Sequence, residues 1–308
     1  MMEIALALGG GGVKGIAHLG VIHALEQAGF RIRAIAGTSI GGLVGGVYAA
    51  GNSPLKILQT VQQLDMNLVY RRRAEDGPAL LGHAGMVEVL NTLLHNRRFE
   101  DLEIPFACTA VDIHSHREVY LSHGDVTQAI LATTAFPGVL PPQEHKDMLL
   151  VDGGVLDPVP VLLAKKLAPN LPVLAVVLQP PPEDWDKIPE GDLITTTPLP
   201  IPSPLIQGFV RMRIGQAARI FIEAMDINSR MLTELRLQVD KPDIILRPNV
   251  FRFGIFEPAD PLVLFNAGKE IVEQELKHIK DIFTWKGKLM KFFKGDSSSA
   301  VLKILKSE

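Results

Sequence analysis

Apolar and polar positions fall into short alternating blocks over the first fifty residues. Residues 4–8 form an apolar run stopped by Gly9, Gly10, Gly11 and Gly12, the pattern of a buried strand running into a loop. Residues 16–28 place Ile16, Leu19, His23 and Leu25 at helical spacing among small residues, and Gly29 supplies a stop. Residues 32–36 predict a second strand. Residues 40–50 are rich in small side chains, helical in pattern, and closed by Gly51. Strand, loop, helix, strand, turn and helix in that order argue for a parallel sheet with crossover helices.

Further along, residues 54–100 read as mainly helical, with a basic, flexible stretch around 71–77. Residues 106–113 and 118–122 predict two strands joined by a turn at 114–117. A helix is expected over 125–134, and the prolines of 137–142 break it. Residues 148–151 and 173–178 predict further strands, the second strongly apolar. Residues 180–204 are rich in Pro and Thr and lack a period, as lids or disordered segments do. Helix returns over 205–237, then a short strand at 244–246 and an amphipathic helix at 268–283. With no internal repeat and no clean boundary, residues 1–283 read as one domain with a Pro-rich loop insertion at 180–204. Residues 284–308 read as a basic amphipathic tail. In it Trp285, Leu289, Phe292 and Phe293 share one helical face, and Lys286, Lys288, Lys291 and Lys294 lie off it. That pattern suits peripheral contact of 285–308 with an anionic membrane, or packing on the chain's own core or on a second copy of the chain.

Composition narrows the function classes. Of the 308 residues 47% are apolar and 21% charged, enough to bury a sizeable core. The net charge of -3 gives no general attraction to nucleic acid, and no such partner is expected. The single cysteine, Cys108, excludes an internal disulfide, and its apolar neighbours predict a packed thiol. The N-terminus lacks the basic region of an export signal, and no apolar run approaches the ~18–20 residues of a spanning helix. The expectation is a cytoplasmic protein, at most peripheral at a membrane surface.

Three blocks carry candidate chemistry. Gly37-Thr38-Ser39-Ile40-Gly41 lies between a predicted strand and a predicted helix. In that setting G-x-S-x-G is a sharp turn that lifts the serine hydroxyl above the sheet, with glycines at both ends so that strand and helix pass closely. Gly9-Gly10-Gly11-Gly12-Val13-Lys14-Gly15 opens the first helix, and consecutive glycines let backbone N–H groups converge on a phosphate or an oxyanion. Gly10, Gly12 and Gly15 also satisfy G-x-G-x-x-G, but residues 32–37 hold no acid to bind a ribose, and Lys14 stands wrongly for a P-loop. Lys14 reads equally as a surface lysine or as a brace for the loop, and His18 as a packing histidine. Asp152-Gly153-Gly154 ends a predicted strand. None of the nine histidines has a comparable strand-end setting, so Asp152 is the best-placed partner for Ser39, with Asp112 and Asp157 read as structural. No His/Cys/Asp cluster has metal-ligand spacing, so no metal and no organic cofactor is implied.

Taken in order, Gly10-Gly11-Gly12-Val13-Lys14-Gly15, Gly37-Thr38-Ser39-Ile40-Gly41 and Asp152-Gly153-Gly154 resemble the patatin-like phospholipase family. The block Ala132-Thr133-Thr134-Ala135-Phe136-Pro137 strengthens the resemblance, which runs over residues 4–160 and is weaker around 244–283. It implies a three-layer α/β/α sandwich with a mainly parallel sheet, and a Ser–Asp dyad without histidine. Ser39 would be nucleophile, Asp152 base, and the backbone of Gly10, Gly11 and Gly12 the oxyanion hole, supported by Lys14, Gly15, Gly37, Gly41, Gly153 and Gly154. The implied substrate is a lipid acyl ester, a phospholipid or lysophospholipid. A general carboxylesterase and a non-catalytic lipid- or nucleotide-binding module on the same fold are the alternatives.

Overall fold

The structure, a computed structural model, describes residues 2–73, 76–187 and 213–284. Among these the strands are β1 (Met2–Leu8), β2 (Phe30–Gly37), β3 (Phe106–Asp112), β4 (Arg117–Leu121), β5 (Gln143–His145), β6 (Met148–Asp152), β7 (Val173–Val176) and β8 (Ile244–Leu246). The helices are α1 (Ile16–Gln27), α2 (Ile40–Ala49), α3 (Pro54–Gln62), α4 (Met66–Val69), α5 (Ala84–Leu94), α6 (Val126–Thr133), α7 (Val161–Leu167), α8 (Arg213–Asp240) and α9 (Pro261–Asp281).

The strand order is β5-β6-β3-β2-β1-β7-β8, with β4 also paired to β3. β1 runs parallel to β2 and β7, β2 parallel to β3, and β7 parallel to β8. Antiparallel pairing is confined to the β4, β5 and β6 side. The sheet is thus mostly parallel, with helices on both faces.

Side-chain size sorts the two faces. Ile4, Leu6, Leu8, Ile35, Leu174 and Val176 point into the thick layer made by α1, α2, α3, α5, α6 and α9. Ala5, Ala7, Ala34, Ala36 and Ala175 line the other face, where α7 and Leu237 of α8 pack. Alternation along β1 and over 34–36 of β2 puts bulk on one side and alanine on the other, so the second layer sits close to the sheet there. Across the thick layer α1 and α9 meet backbone to backbone. A Cβ on Gly20 would strike the Phe265 carbonyl, and one on Gly268 the Ala17 carbonyl.

The N-terminal elements fall where the pattern predicts them. The predicted 268–283 helix begins earlier, at Pro261, because Asp260 caps it by accepting the Leu262 N–H at 2.9 Å. The helix expected over 205–237 is α8, whose described part runs from Arg213 to Asp240. Of the Pro-rich 180–204 segment, Pro182–Lys187 form a 3-10 turn and 188–204 lie outside the described residues, as does the tail from 285 on. α7 and β5 have no counterpart in the sequence reading, since seven and three residues are too few to show a period.

Candidate active site

The turn after β2 is built around a backbone that side chains rarely adopt. Ser39 has φ 55° and ψ −127°, a positive φ on a non-glycine residue. Its surroundings hold it there. A Cβ on Gly41 would run into the Leu8 carbonyl, so only glycine lets α2 start this close to β1. The Thr38 N–H donates to Leu8 O at 3.0 Å. The Thr38 hydroxyl lies 2.7 Å from that of Thr109 and donates to Asp157 O at 2.8 Å. Thr133 Oγ1 accepts the Ser39 N–H at 2.9 Å.

That geometry delivers the Ser39 hydroxyl to the end of β6, where Oγ donates to Asp152 Oδ2 at 2.5 Å. The other carboxylate oxygen accepts the Gly154 N–H at 2.8 Å, and the Asp152 N–H donates to Ala135 O at 3.0 Å. Asp152 is buried. Burial pushes its pKa up to about 6, against the hydrogen bonds from Ser39 and Gly154, which favour the charged form. Among the described residues no histidine hydrogen-bonds to Ser39 or Asp152. His18 is fully buried with Nε2 2.8 Å from Gly9 O, and burial lowers its pKa to about 4, which keeps the ring neutral at ordinary pH. Asp112 staples its own turn, accepting from the N–H groups of His114, Ser115 and Leu149. Asp157 is buried against Arg236 of α8 at 2.7 Å. Cys108 is buried on β3.

The glycine loop crosses the mouth of the same site. Gly10 donates its N–H to Pro158 O at 2.9 Å, and Val13 donates to Ile255 O at 2.9 Å. Between these two anchored amides lie Gly11 and Gly12, both on the cavity wall. The Gly10 N–H is thus engaged in the loop's own support. Gly12 lies at φ 60°, and a Cβ there would collide with the Ile255 carbonyl. Lys14 is buried, not on the surface; burial lowers its pKa while Asp226 on α8 opposes the shift. Gly15 packs on the side chain of Ile40, and Gly153 on Thr109.

A cavity of about 630 Å³ runs from this point into the thick layer. Gly11, Gly12, Ser39 and Asp152 stand at one part of its wall. Leu43, Val44 and Val47 of α2, Ile57 of α3 and Leu90 of α5 make it apolar. Gln179, Asp226 and Ser229 give the wall near the loop a polar side. No sequence signal marks Ile255, Gln179 or Asp226, which arrive from distant segments with no motif of their own. Among the described residues no group of three or more His, Cys, Asp or Glu side chains could hold a metal ion.

The profile of the patatin-like phospholipase family matches residues 6–165. An uncharacterised NTE family protein of Mycobacterium tuberculosis is 36% identical over 161 residues, 52% of this chain and 44% of that protein. Lysophospholipase NTE1 of Saccharomyces cerevisiae is 35% identical over 164 residues, 51% of this chain but 10% of that protein. The chain thus spans less than half the length of these relatives. Among solved structures, VipD from Legionella pneumophila shares the fold, with a TM-score of 0.55 at 13% identity over 91% of this chain and 67% of that one. The matched half holds the glycine loop, the Ser39 turn and the Asp152 strand end, and the chain belongs to the patatin-like phospholipase family.

Proposed function

We propose that the protein hydrolyses fatty-acyl esters of phospholipids or lysophospholipids through a Ser39 acyl-enzyme. The observation that carries this reading is the 2.5 Å hydrogen bond from Ser39 to the buried Asp152, set in the wall of an apolar cavity of about 630 Å³. That volume lies within the range of small-molecule sites, and its wall suits a hydrocarbon chain.

Asp152 takes the Ser39 proton as Oγ attacks the ester carbonyl carbon. The amides of Gly11 and Gly12 then stabilise the oxyanion, helped by the positive end of α2 at Ser39. When the tetrahedral intermediate collapses, Asp152 returns the proton to the departing alcohol. Water then enters, gives a proton to Asp152, attacks the acyl carbon, and releases the fatty acid with Ser39 restored. A carboxylate whose pKa has been raised to about 6 is a stronger base than an exposed one and is still ionised at neutral pH.

The test is a panel of lipids incubated with purified protein, with free fatty acids read by mass spectrometry, alongside a fluorophosphonate probe. Fatty acid release by the wild type, and labelling that Ser39→Ala abolishes, support the reading. Turnover limited to short soluble esters would make it a general carboxylesterase, and labelling that survives Ser39→Ala would remove Ser39 as nucleophile.

A further inference from the structure

The α8 helix carries apolar side chains on its outer face as well as its inner one. Toward the protein it presents charge: Asp226 pairs with Arg230, Glu234 with Arg247 at 2.6 Å, and Arg236 with Asp157, Glu118 and Asp240. On its outer side, beside exposed Glu223 and Asn228, lies a run of exposed hydrocarbon. Ile220, Ile227 and Val239 are 66%, 64% and 71% exposed, and Phe221, Met231 and Leu235 are exposed beside them. At 3.6 residues per turn these six fall within an arc of about 120° along the helix, and no charged residue between 217 and 239 shares that arc. A surface helix of a water-soluble protein puts an apolar stripe of that width against its core.

The arc leads to the cavity. Met225, one turn beyond Phe221 on the same side, lines the cavity wall, as does Ser229 one turn further on. Met66, Glu257 and Pro258 line the cavity and are exposed, which marks its rim. Beside that rim, Leu68, Leu262 and Val263 are exposed at 57%, 46% and 39%.

From this we infer that the outer face of α8, with the rim residues Leu68, Leu262 and Val263, seats on the hydrocarbon of a lipid aggregate. The inference rests on the acyl-hydrolase reading, because an ester chain leaving a bilayer or micelle would then reach Ser39 past Met225 without crossing water. A second copy of the chain seated on this arc would instead cover the way in. The absence of charge from the arc points to insertion of side chains into an uncharged lipid surface, so binding needs no anionic lipid and resists salt.

The experiment is flotation with zwitterionic phosphatidylcholine vesicles at low and high salt, using Ser39→Ala protein so that the lipid stays intact. Ile220→Glu/Ile227→Glu and, separately, Val239→Glu are compared with an unaltered arc, with Ile245→Glu as a control off the arc, and with deletion of 285–308. Folding is followed by thermal melting, and catalysis by turnover of a soluble aryl ester in Ser39-containing versions. The expected result is salt-independent vesicle binding that the double variant weakens by at least about tenfold, since each buried isoleucine contributes more than a tenfold factor. Val239→Glu should weaken it less, and Ile245→Glu not at all, with melting and aryl ester turnover preserved. Three outcomes overturn the inference: binding that the arc variants leave unchanged, binding that needs anionic lipid and is lost only with 285–308, or a dimer that the arc variants convert to monomer. Loss of vesicle binding in the arc variants without any ester turnover in the wild type would leave the docking face standing and remove the hydrolase reading.

Discussion

Thr133 Oγ1 accepts the backbone N–H of Ser39 at 2.9 Å, joining the end of α6 to the turn that carries the proposed nucleophile. The bond spans 94 residues of sequence and fixes a residue whose own φ of 55° is unfavourable. Thr133→Val keeps the shape and removes the acceptor, leaving a part-buried N–H unpaired at a cost of about 1 kcal/mol. Aryl ester turnover should fall by about tenfold or more, because small displacements of a reacting group are costly. Thr133→Ser, which keeps the oxygen, should restore most of it. Equal turnover by the valine and serine variants would show that this bond does not position Ser39.

The raised pKa of Asp152 predicts a pH profile. The base works only when ionised, so kcat/KM on an uncharged ester should fall about tenfold per pH unit below about 6 and stay level above it. Asp152→Asn should lose about 10²–10⁴-fold in kcat.

The same shift predicts a gain in stability on removing the charge. The folded state holds this proton more tightly than the unfolded chain, whose aspartate titrates near 3.8. Its contribution to stability is therefore greatest below that pH and is lost as pH rises to about 6. Asp152→Asn should thus be more stable than wild type at pH 7.5, by about 1–3 kcal/mol, with little difference at pH 3.5. Denaturant midpoints at the two pH values would decide it, and a variant less stable at both would contradict the cause given for the shift.

Gly12 stands at φ 60° with the Ile255 carbonyl where a Cβ would be. Gly12→Ala must move either the loop or the segment around Ile255, a strain of about 1–3 kcal/mol. If the Gly11 and Gly12 amides hold the oxyanion, fluorophosphonate labelling and ester turnover should both slow by about a hundredfold, the usual effect of losing one such donor. Full-rate labelling in a folded Gly12→Ala protein would place the oxyanion elsewhere.

Chain-length preference should answer to Val47. It lines the cavity two turns along α2 from Ser39, about 12 Å at 1.5 Å per residue. Val47→Phe would fill the cavity beyond that distance. Butyryl ester turnover should stay within about twofold, and palmitoyl ester turnover should drop at least about tenfold, the extra bulk costing about 1–3 kcal/mol if it does not fit. A uniform loss across chain lengths would mean that the acyl chain lies along another wall.

What is legible in the sequence is what local chain geometry dictates. The Ser39 turn, the glycine loop and the Asp152 strand end are contiguous blocks that show as motifs, although the contacts that demand their glycines, Leu8 for Gly41 and Ile255 for Gly12, come from elsewhere in the chain. The donor set of the loop is not legible, because whether Gly10 is free depends on Pro158, which only the packing of α7's approach reveals. Lys14 has the same difficulty: its charged neighbours Asp226 and Arg230 lie on α8, more than two hundred positions later. For α8 itself, periodicity gives a helix but not which face is inward, since apolar residues lie on both sides, Leu237 and Ile222 inward and Ile220, Ile227 and Val239 outward. α7 and β5 are simply too short for a period.

The backbone crossing of α1 and α9 at Gly20 and Gly268 separates two kinds of unit. Residues 6–165 are what the family profile matches, yet they do not contain the parts that complete their own packing. A fragment ending at 165 would leave β1 without β7 on one edge, Gly12 without the Ile255 carbonyl, and the glycine-bearing side of α1 open to water. The matched segment and the packed unit are therefore different stretches of chain. Truncation to the shared half should yield an aggregating fragment rather than a smaller enzyme.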